Sequence, residues 1–360
     1  MGDSIQTADP RPLSVLVVGA NGYLGLAICR AFLRAAARVY GLVRRPSAAH
    51  DLAANEVIPI VSDLADVAGT LRKVLSHSLR WDVIVTCTEP AKTDPAVETQ
   101  HWNTVLKLVV GLGEASSCGS RRPFVLWSSG CKDYGTTGLH GDPDLQPHTE
   151  TSPLDAPPPI RGRTDAAAPV FDVAVVRATP VYGYSGSYFG AAFEYASRAA
   201  AARDQHENGQ NTLDFAADPG TILHSLHVDD CAEAYVALAA KVLSDEVAGK
   251  VFNVSGRRYE TLKEVGDALA AEYGFTGGAR FGLGPGEIPA DDMRGLLVFG
   301  WSQWVDSDKI RQVTGWADRR PLFSENVGVY RLAYEAAKTQ GSDNVGSISR
   351  RMAGDWGERK

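Results

Sequence analysis

A short apolar run that breaks into a glycine-spaced turn narrows the folds open to this 360-residue chain more than any other feature. Val15-Leu16-Val17-Val18 is uninterrupted and apolar, as a strand covered on both faces of a parallel sheet must be. It leads into Gly19-Ala20-Asn21-Gly22-Tyr23-Leu24-Gly25. Leu24, Ala27, Ile28, Ala31, Phe32 and Ala35 then recur at helical spacing and form one apolar stripe. The three glycines have separate roles. Gly19 permits a tight turn, Gly22 lets the backbone approach a pyrophosphate, and Gly25 lets helix and strand pack closely. Free N–H groups and the dipole at the helix start then favour an anion. The other reading is a tight strand–helix turn that holds no ligand.

The same alternation continues for about 130 residues. Val39–Val43, Val57–Val61, Val83-Ile84-Val85 and Phe124–Trp127 read as strands, with helices expected around 66–78 and 96–116. This order predicts right-handed βαβ units and an α/β fold with a Rossmann-like, doubly wound parallel sheet. Further on, Val173–Arg177 and Val251–Val254 read as strands. Helices are expected over 187–203, from near Asp229, from Thr261 and over 322–338. Apolar residues make up 44% and charged residues 22%, which excludes a disordered or collagen-like chain. A net charge of −7 argues against a nucleic-acid backbone as partner. No segment has the ~20 apolar residues that a membrane span needs. Cys29, Cys87, Cys118, Cys131 and Cys231 are scattered, so neither a metal site nor a disulfide framework is expected, and the default location is cytoplasmic.

The end of the second strand bears on the choice of dinucleotide. An acidic residue there would bind an adenosine 2′-hydroxyl, but the strand ends Leu42-Val43-Arg44-Arg45. Two guanidiniums suit a 2′-phosphate, which favours NADP(H) over NAD(H). A solvated arginine pair is the alternative. Asp63 and Leu64, after the third strand, stand where an adenine contact would lie, although Asp63 equally suits a helix cap. Cys87 and Thr88 end the fourth strand near the expected nicotinamide. Arg177 and Thr179 would end the sixth, where open α/β sheets place ligand contacts. Residues 135–169 hold seven of the nineteen prolines (Pro143, Pro147, Pro153, Pro157, Pro158, Pro159 and Pro169) and read as a long loop.

Taken together, GANGYLG at 19–25, SDL at 62–64, WSSGCKDYG at 127–135, RATPVYG at 177–183, HVDDCAEA at 227–234, VFNVSG at 251–256 and DSDKIRQVTGW at 306–316 resemble the extended or atypical short-chain dehydrogenase/reductases, the NAD-dependent epimerase/dehydratase-like group. The resemblance spans roughly residues 13–338. It implies a dinucleotide-binding domain over 13–183, with 225–255 returning to it. A smaller, mainly C-terminal α/β substrate domain would be built from 184–224 and 256–338, leaving 1–12 and 339–360 as flexible tails. It also implies a small organic substrate held between the two domains and allows a homodimer. Val105, Leu108, Val109 and Leu112 form a stripe that either meets a second copy or packs on the sheet.

The family's catalytic pair is missing. The family usually carries a Ser or Thr after the fifth strand, then Tyr-x-x-x-Lys, whose ammonium lowers the phenol's pKa for proton relay. Ser128 and Ser129 supply the hydroxyl, yet residues 135–181 contain no tyrosine and 133–240 no lysine. Pro159 and Arg163 stand at the corresponding positions; Arg163 could still hold the cofactor, but it cannot deprotonate. Tyr259–Lys263 and Tyr334–Lys338 match the spacing too late in the chain. Tyr134 is the phenol closest in sequence to Ser129 and is the candidate acid. Cys131, Lys132, Tyr182, Tyr188 and His227 are candidate substrate contacts, and His224 also faces the expected cleft. Tyr182, Tyr184, Tyr188 and Phe189, set among Gly183, Gly186 and Gly190, suit an apolar, ring-bearing ligand or ordinary lid packing.

Three functions fit these residues. The first is an NADP(H)-dependent oxidoreductase acting on a small organic carbonyl or alcohol. The second is a redox-neutral isomerase, epimerase or lyase that recycles the dinucleotide. The third is a non-catalytic dinucleotide-binding sensor or partner protein.

Overall fold

A computed structural model of the chain describes residues 11–90, 94–116, 122–157, 160–166, 173–186, 188–205, 211–241, 246–284 and 299–352. Cys118, Pro158, Pro159 and Pro169, named above, lie outside them. The central element is a parallel sheet of seven strands. These are β1 (Ser14–Val18), β2 (Arg38–Val43), β3 (Ile58–Val61), β4 (Val83–Thr86), β5 (Phe124–Gly130), β6 (Val173–Ala178) and β11 (Val251–Val254). Two-residue strands lie outside it: β7 (Val181–Tyr182), β8 (Leu213–Asp214), β9 (Ile222–Leu223), β10 (Leu226–His227), β12 (Glu260–Thr261) and β13 (Ala279–Arg280). The spatial order β11-β6-β5-β4-β1-β2-β3 reverses direction between β1 and β4, so a crevice opens beyond their carboxyl ends.

The pleat divides β1 between two cores. Val15 and Val17 pack with Ala27, Ile28 and Phe32 of α1 (Tyr23–Arg34) and with Leu52 of α2 (Ser47–Ala54). Cys231, Tyr235 and Leu238 of α7 (Val228–Ala239) and Ile310 of α9 (Asp308–Thr314) join them. Leu16 and Val18 face the other way, toward Val74 of α3 (Val67–His77) and the long α4 (Pro95–Ser116). A continuous apolar strand is therefore required at β1 because neither face meets water. Val105, Leu108, Val109 and Leu112 of α4 are buried in this second core beside Trp127 and Ile84. The stripe is used within the chain, and no dimer face is read from it.

A third core forms the lid. It joins α6 (Tyr188–Asp204), α8 (Leu262–Glu272), α10 (Val327–Thr339) and α11 (Asp343–Met352). Thr261 starts α8 with a reciprocal capping box to Glu264, as its sequence pattern suggests. Residues 343–352, expected to fray, instead form α11, because Val345 and Ile348 bury against the lid. The proline-rich loop is pinned by backbone bonds: Thr137 donates to Ser302, His140 to Gly220 and His148 to Trp304. The one-turn α5 (Arg161–Ala166) follows it. Among the described residues, no helix is long and apolar enough to cross a membrane.

Candidate functional site

The glycine turn adopts the geometry its spacing suggests. Gly19 has φ +87°, and a Cβ there would lie 2.9 Å from the Cys87 carbonyl oxygen. At Gly25 a Cβ would stand 2.2 Å from the Gly19 carbonyl oxygen, so no side chain fits. α1 begins at Gly22 with no side-chain cap and no acidic residue in its first turn. Its leading N–H groups are thus left for an anion. Tyr23 ties the turn to the lid crossing by donating to the Gly183 carbonyl at 2.7 Å.

A cleft of about 700 Å³ runs from this turn along the carboxyl ends of the strands. It is lined by Gly19, Asn21, Gly22, Tyr23, Leu24, Arg44, Arg45, Asp63, Leu64, Cys87 and Thr88 at one end. Ser128, Ser129, Cys131, Lys132, Arg163, Thr179 and Tyr188 line the other. The fold thus gathers most of the sequence candidates. Gly25 serves the turn from behind, outside the lining. Asp63 accepts from the Ala65 N–H at 3.0 Å, forming a turn, while Asp66 rather than Asp63 caps α3. Arg44 has no bonded partner among the described residues, whereas Arg45 pairs with Asp343 of α11 at 2.5 Å.

Behind the inner end lies a buried polar network centred on Asp133, which follows β5 in a single 3₁₀ turn, Cys131–Tyr134. Asp133 is fully buried and accepts from Ser129 Oγ at 2.5 Å, Arg163 at 2.8 Å and Arg177 Nε at 3.3 Å. Ser128 Oγ accepts from the Tyr235 hydroxyl at 2.8 Å. Arg163 thus bonds to a protein carboxylate while its buried Nε has no partner among the described residues.

Several candidates lie elsewhere. Tyr134 is only 2% exposed and does not line the cleft. Its hydroxyl donates to Asn253 Oδ1 at 2.8 Å and accepts from Arg177 at 3.0 Å. Burial pushes this phenol up to about 12. Arg177 is committed to the same network instead of reaching the cleft. Tyr182 is buried in the lid core, where its hydroxyl donates to the Pro321 carbonyl. His227 caps α7, its Nδ1 accepting from the Asp229 N–H, and desolvation holds it down at about 4. Neither residue lines the cleft. Cys131 turns its thiol inward, donating to the Arg177 carbonyl at 3.1 Å, and burial raises its pKa well above the usual thiol value. The same cause raises Cys87. Neither thiol is an activated nucleophile. The late Tyr334–Lys338 pair converges on Glu194 in the lid, and Tyr259 meets His140.

The sequence reading missed Gln100, His101 and Thr104 of α4 and Asp343, Asn344, Ser347 and Ile348 of α11, which also line the cleft. Two apolar residues three apart, Val345 and Ile348, were the faint signal for α11. Trp301 and Gln303, in a segment with no motif, wall a side pocket beside Lys132.

Residues 15–161 match the NAD dependent epimerase/dehydratase family. A search of curated proteins returned no match. Among solved structures, the chain is similar to the UDP-glucose 4-epimerase of Thermotoga maritima at 15% identity and TM-score 0.67. That alignment covers 91% of this chain and 100% of the other. The UDP-Glc/GlcNAc 4-epimerase of Campylobacter jejuni gives 21% identity and TM-score 0.66, covering 91% and 99%. A dTDP-glucose 4,6-dehydratase of Bacillus anthracis, solved with NAD, gives 16% and 0.66, covering 91% and 98%. These findings bear out the resemblance over residues 15–161 and the fold.

Proposed function

We propose that this chain, which carries the NAD dependent epimerase/dehydratase pattern over residues 15–161, is an NADP(H)-dependent oxidoreductase of a small organic carbonyl or alcohol. One observation carries the reading: a single cleft joins the uncapped glycine turn and Arg44 to the Ser128–Lys132 face. The residues fit a dinucleotide. The start of α1 has no side-chain cap and no acidic residue in its first turn, and Arg163 Nε is a buried donor without an acceptor among the described residues.

When bound, the nicotinamide supplies hydride-transfer chemistry. The chain's own residues do the rest. Gly22 and the first turn of α1 receive the pyrophosphate. Arg44 and Arg45 meet a 2′-phosphate, and no carboxylate at the end of β2 favours a free 2′-hydroxyl instead. Ser129 gives its proton to Asp133, so its oxygen lone pairs are what it offers the cleft. With the phenol of Tyr134 bonded to Asn253, water in the cleft is the proton source. Tyr188 closes the substrate end.

Binding and turnover test this directly. Purified protein should bind NADPH more tightly than NADH and consume it with a carbonyl panel. Replacing Arg44 and Arg45 with Ala should raise the Kd for NADPH by roughly tenfold or more, about 1.4 kcal/mol per decade, and leave NADH unchanged. Equal effects on both dinucleotides overturn the NADP(H) choice. A redox-neutral epimerase is the second reading, favoured by the family match. It is supported if substrate is consumed while NADPH absorbance stays constant.

A further inference from the structure

We propose that Lys132 is the receptor for a substrate carboxylate, and that the substrate is a small hydroxylated organic acid with an apolar or aromatic body. This rests on the cleft being the dinucleotide site.

Lys132 stands where the cleft meets a narrow side pocket; it lines both, together with Pro180 and Tyr188. Its ammonium lies 4.7 Å from the centre of the Tyr188 ring and 5.3 Å from that of Trp301. No carboxylate pairs with it among the described residues. The acid next to it, Asp133, is turned away toward Arg163 and Arg177. Burial first, then the nearby Arg163 charge, lower the Lys132 pKa to about 8. A cation held largely out of water without a counter-ion is costly, and an incoming anion relieves that cost.

A second observation points to the hydroxyl. Gln303 is 3% exposed and its amide nitrogen donates to the carbonyls of Cys131 and Gly135, both at 2.7 Å. Its Oε1 is buried on the same pocket with no donor among the described residues. A buried amide oxygen without a partner calls for an O–H or N–H from a ligand. His224, also on this wall, accepts from the Val305 N–H and bonds the Gly256 carbonyl, so both its ring nitrogens are occupied, whereas Trp301 Nε1 is a buried donor with no partner among the described residues. The remaining wall is Phe189, Ile222, Leu223 and Phe299. Its free space is about 30 Å³, room for the hydroxyl-bearing tip of a ligand whose body lies beside Tyr188 in the adjoining cleft.

Three isosteric probes test this on protein loaded with NADP+: mandelate, phenylacetate without the hydroxyl, and phenylethanediol without the carboxylate. Calorimetric titration should rank mandelate first, with phenylethanediol weaker by about tenfold or more. Mandelate affinity should fall as pH rises above about 8, where the free amine loses its proton. Lys132→Met should erase the preference for the carboxylate and leave the Kd of NADP+ unchanged, while Lys132→Arg keeps it. The probe series on the native protein needs no variant, so misfolding cannot mimic the result. Phenylethanediol binding as tightly as mandelate overturns the proposal, as does no mandelate binding by protein that binds NADP+. So does UDP-glucose binding that Lys132→Met leaves intact, or a loss of NADP+ affinity in that variant. Failure to bind any dinucleotide refutes the preceding functional reading instead.

Discussion

Gly25 is a position where one methyl group decides whether the site exists. A Cβ there would overlap the Gly19 carbonyl oxygen at 2.2 Å, and that oxygen belongs to rigid backbone. Gly25→Ala should therefore displace the start of α1, destabilise the fold by about 1–3 kcal/mol and weaken dinucleotide binding more than tenfold. Thermal melts and a fluorescence titration check both. Tyr134 gives the opposite expectation. Tyr134→Phe leaves Asn253 Oδ1 and Arg177 short of a partner, costing about 1–2 kcal/mol, while turnover stays within about twofold. A large loss of turnover at unchanged stability restores Tyr134 as the acid. The glycines were legible because a turn of that shape forbids other residues locally. Tyr134, Tyr182 and His227 were not, since whether a side chain faces the cleft or the core depends on partners such as Asn253 and Pro321, far away in sequence.

Elements were easier to read than their roles. Every strand of the main sheet contains a short, mainly apolar run in the sequence, and β1 needs to be apolar on both faces for the reason seen in its two cores. β5 runs on to Gly130, three residues beyond its apolar stretch, so Ser128 and Ser129 are strand residues with fixed directions. α11 was illegible because its polar surface hides a two-residue anchor. It matters for binding: Asp343 occupies the Arg45 guanidinium that a 2′-phosphate would use. Both groups are well exposed, so the pair is worth at most about 1 kcal/mol. Asp343→Asn should thus tighten NADPH binding by about two- to fivefold and leave NADH unaffected. Equal tightening of both, measured by fluorescence, contradicts the clasp.

At the scale of the whole molecule, His224 links the lid to the loop carrying Val305. Desolvation holds its pKa down at about 4, against 6.5 in an unfolded chain. It favours folding fully above pH 6.5, and that contribution is lost as pH falls toward 4. Glu150, Asp230 and Glu260 are raised by burial and act in the opposite direction, so the native curve alone is ambiguous in sign. A difference isolates the histidine. His224→Gln should cost stability at pH 7, and the gap from the native protein should shrink by about 1.4 kcal/mol per pH unit below 6.5. A gap that stays constant in denaturant titrations at several pH values contradicts a neutral His224.

The sheet order carries a consequence for synthesis. β11, the partner of β6, comes after the residues that build α6 and α7. A chain emerging from the ribosome has β1 through β6 long before Val254 appears, and the lid core waits still longer for Ile348. During that interval one side of β6 offers its unpaired N–H and C=O groups to any strand nearby. Nascent chains on adjacent ribosomes are then exposed to mispairing at the Val173–Ala178 edge, the stretch a chaperone would have to shield.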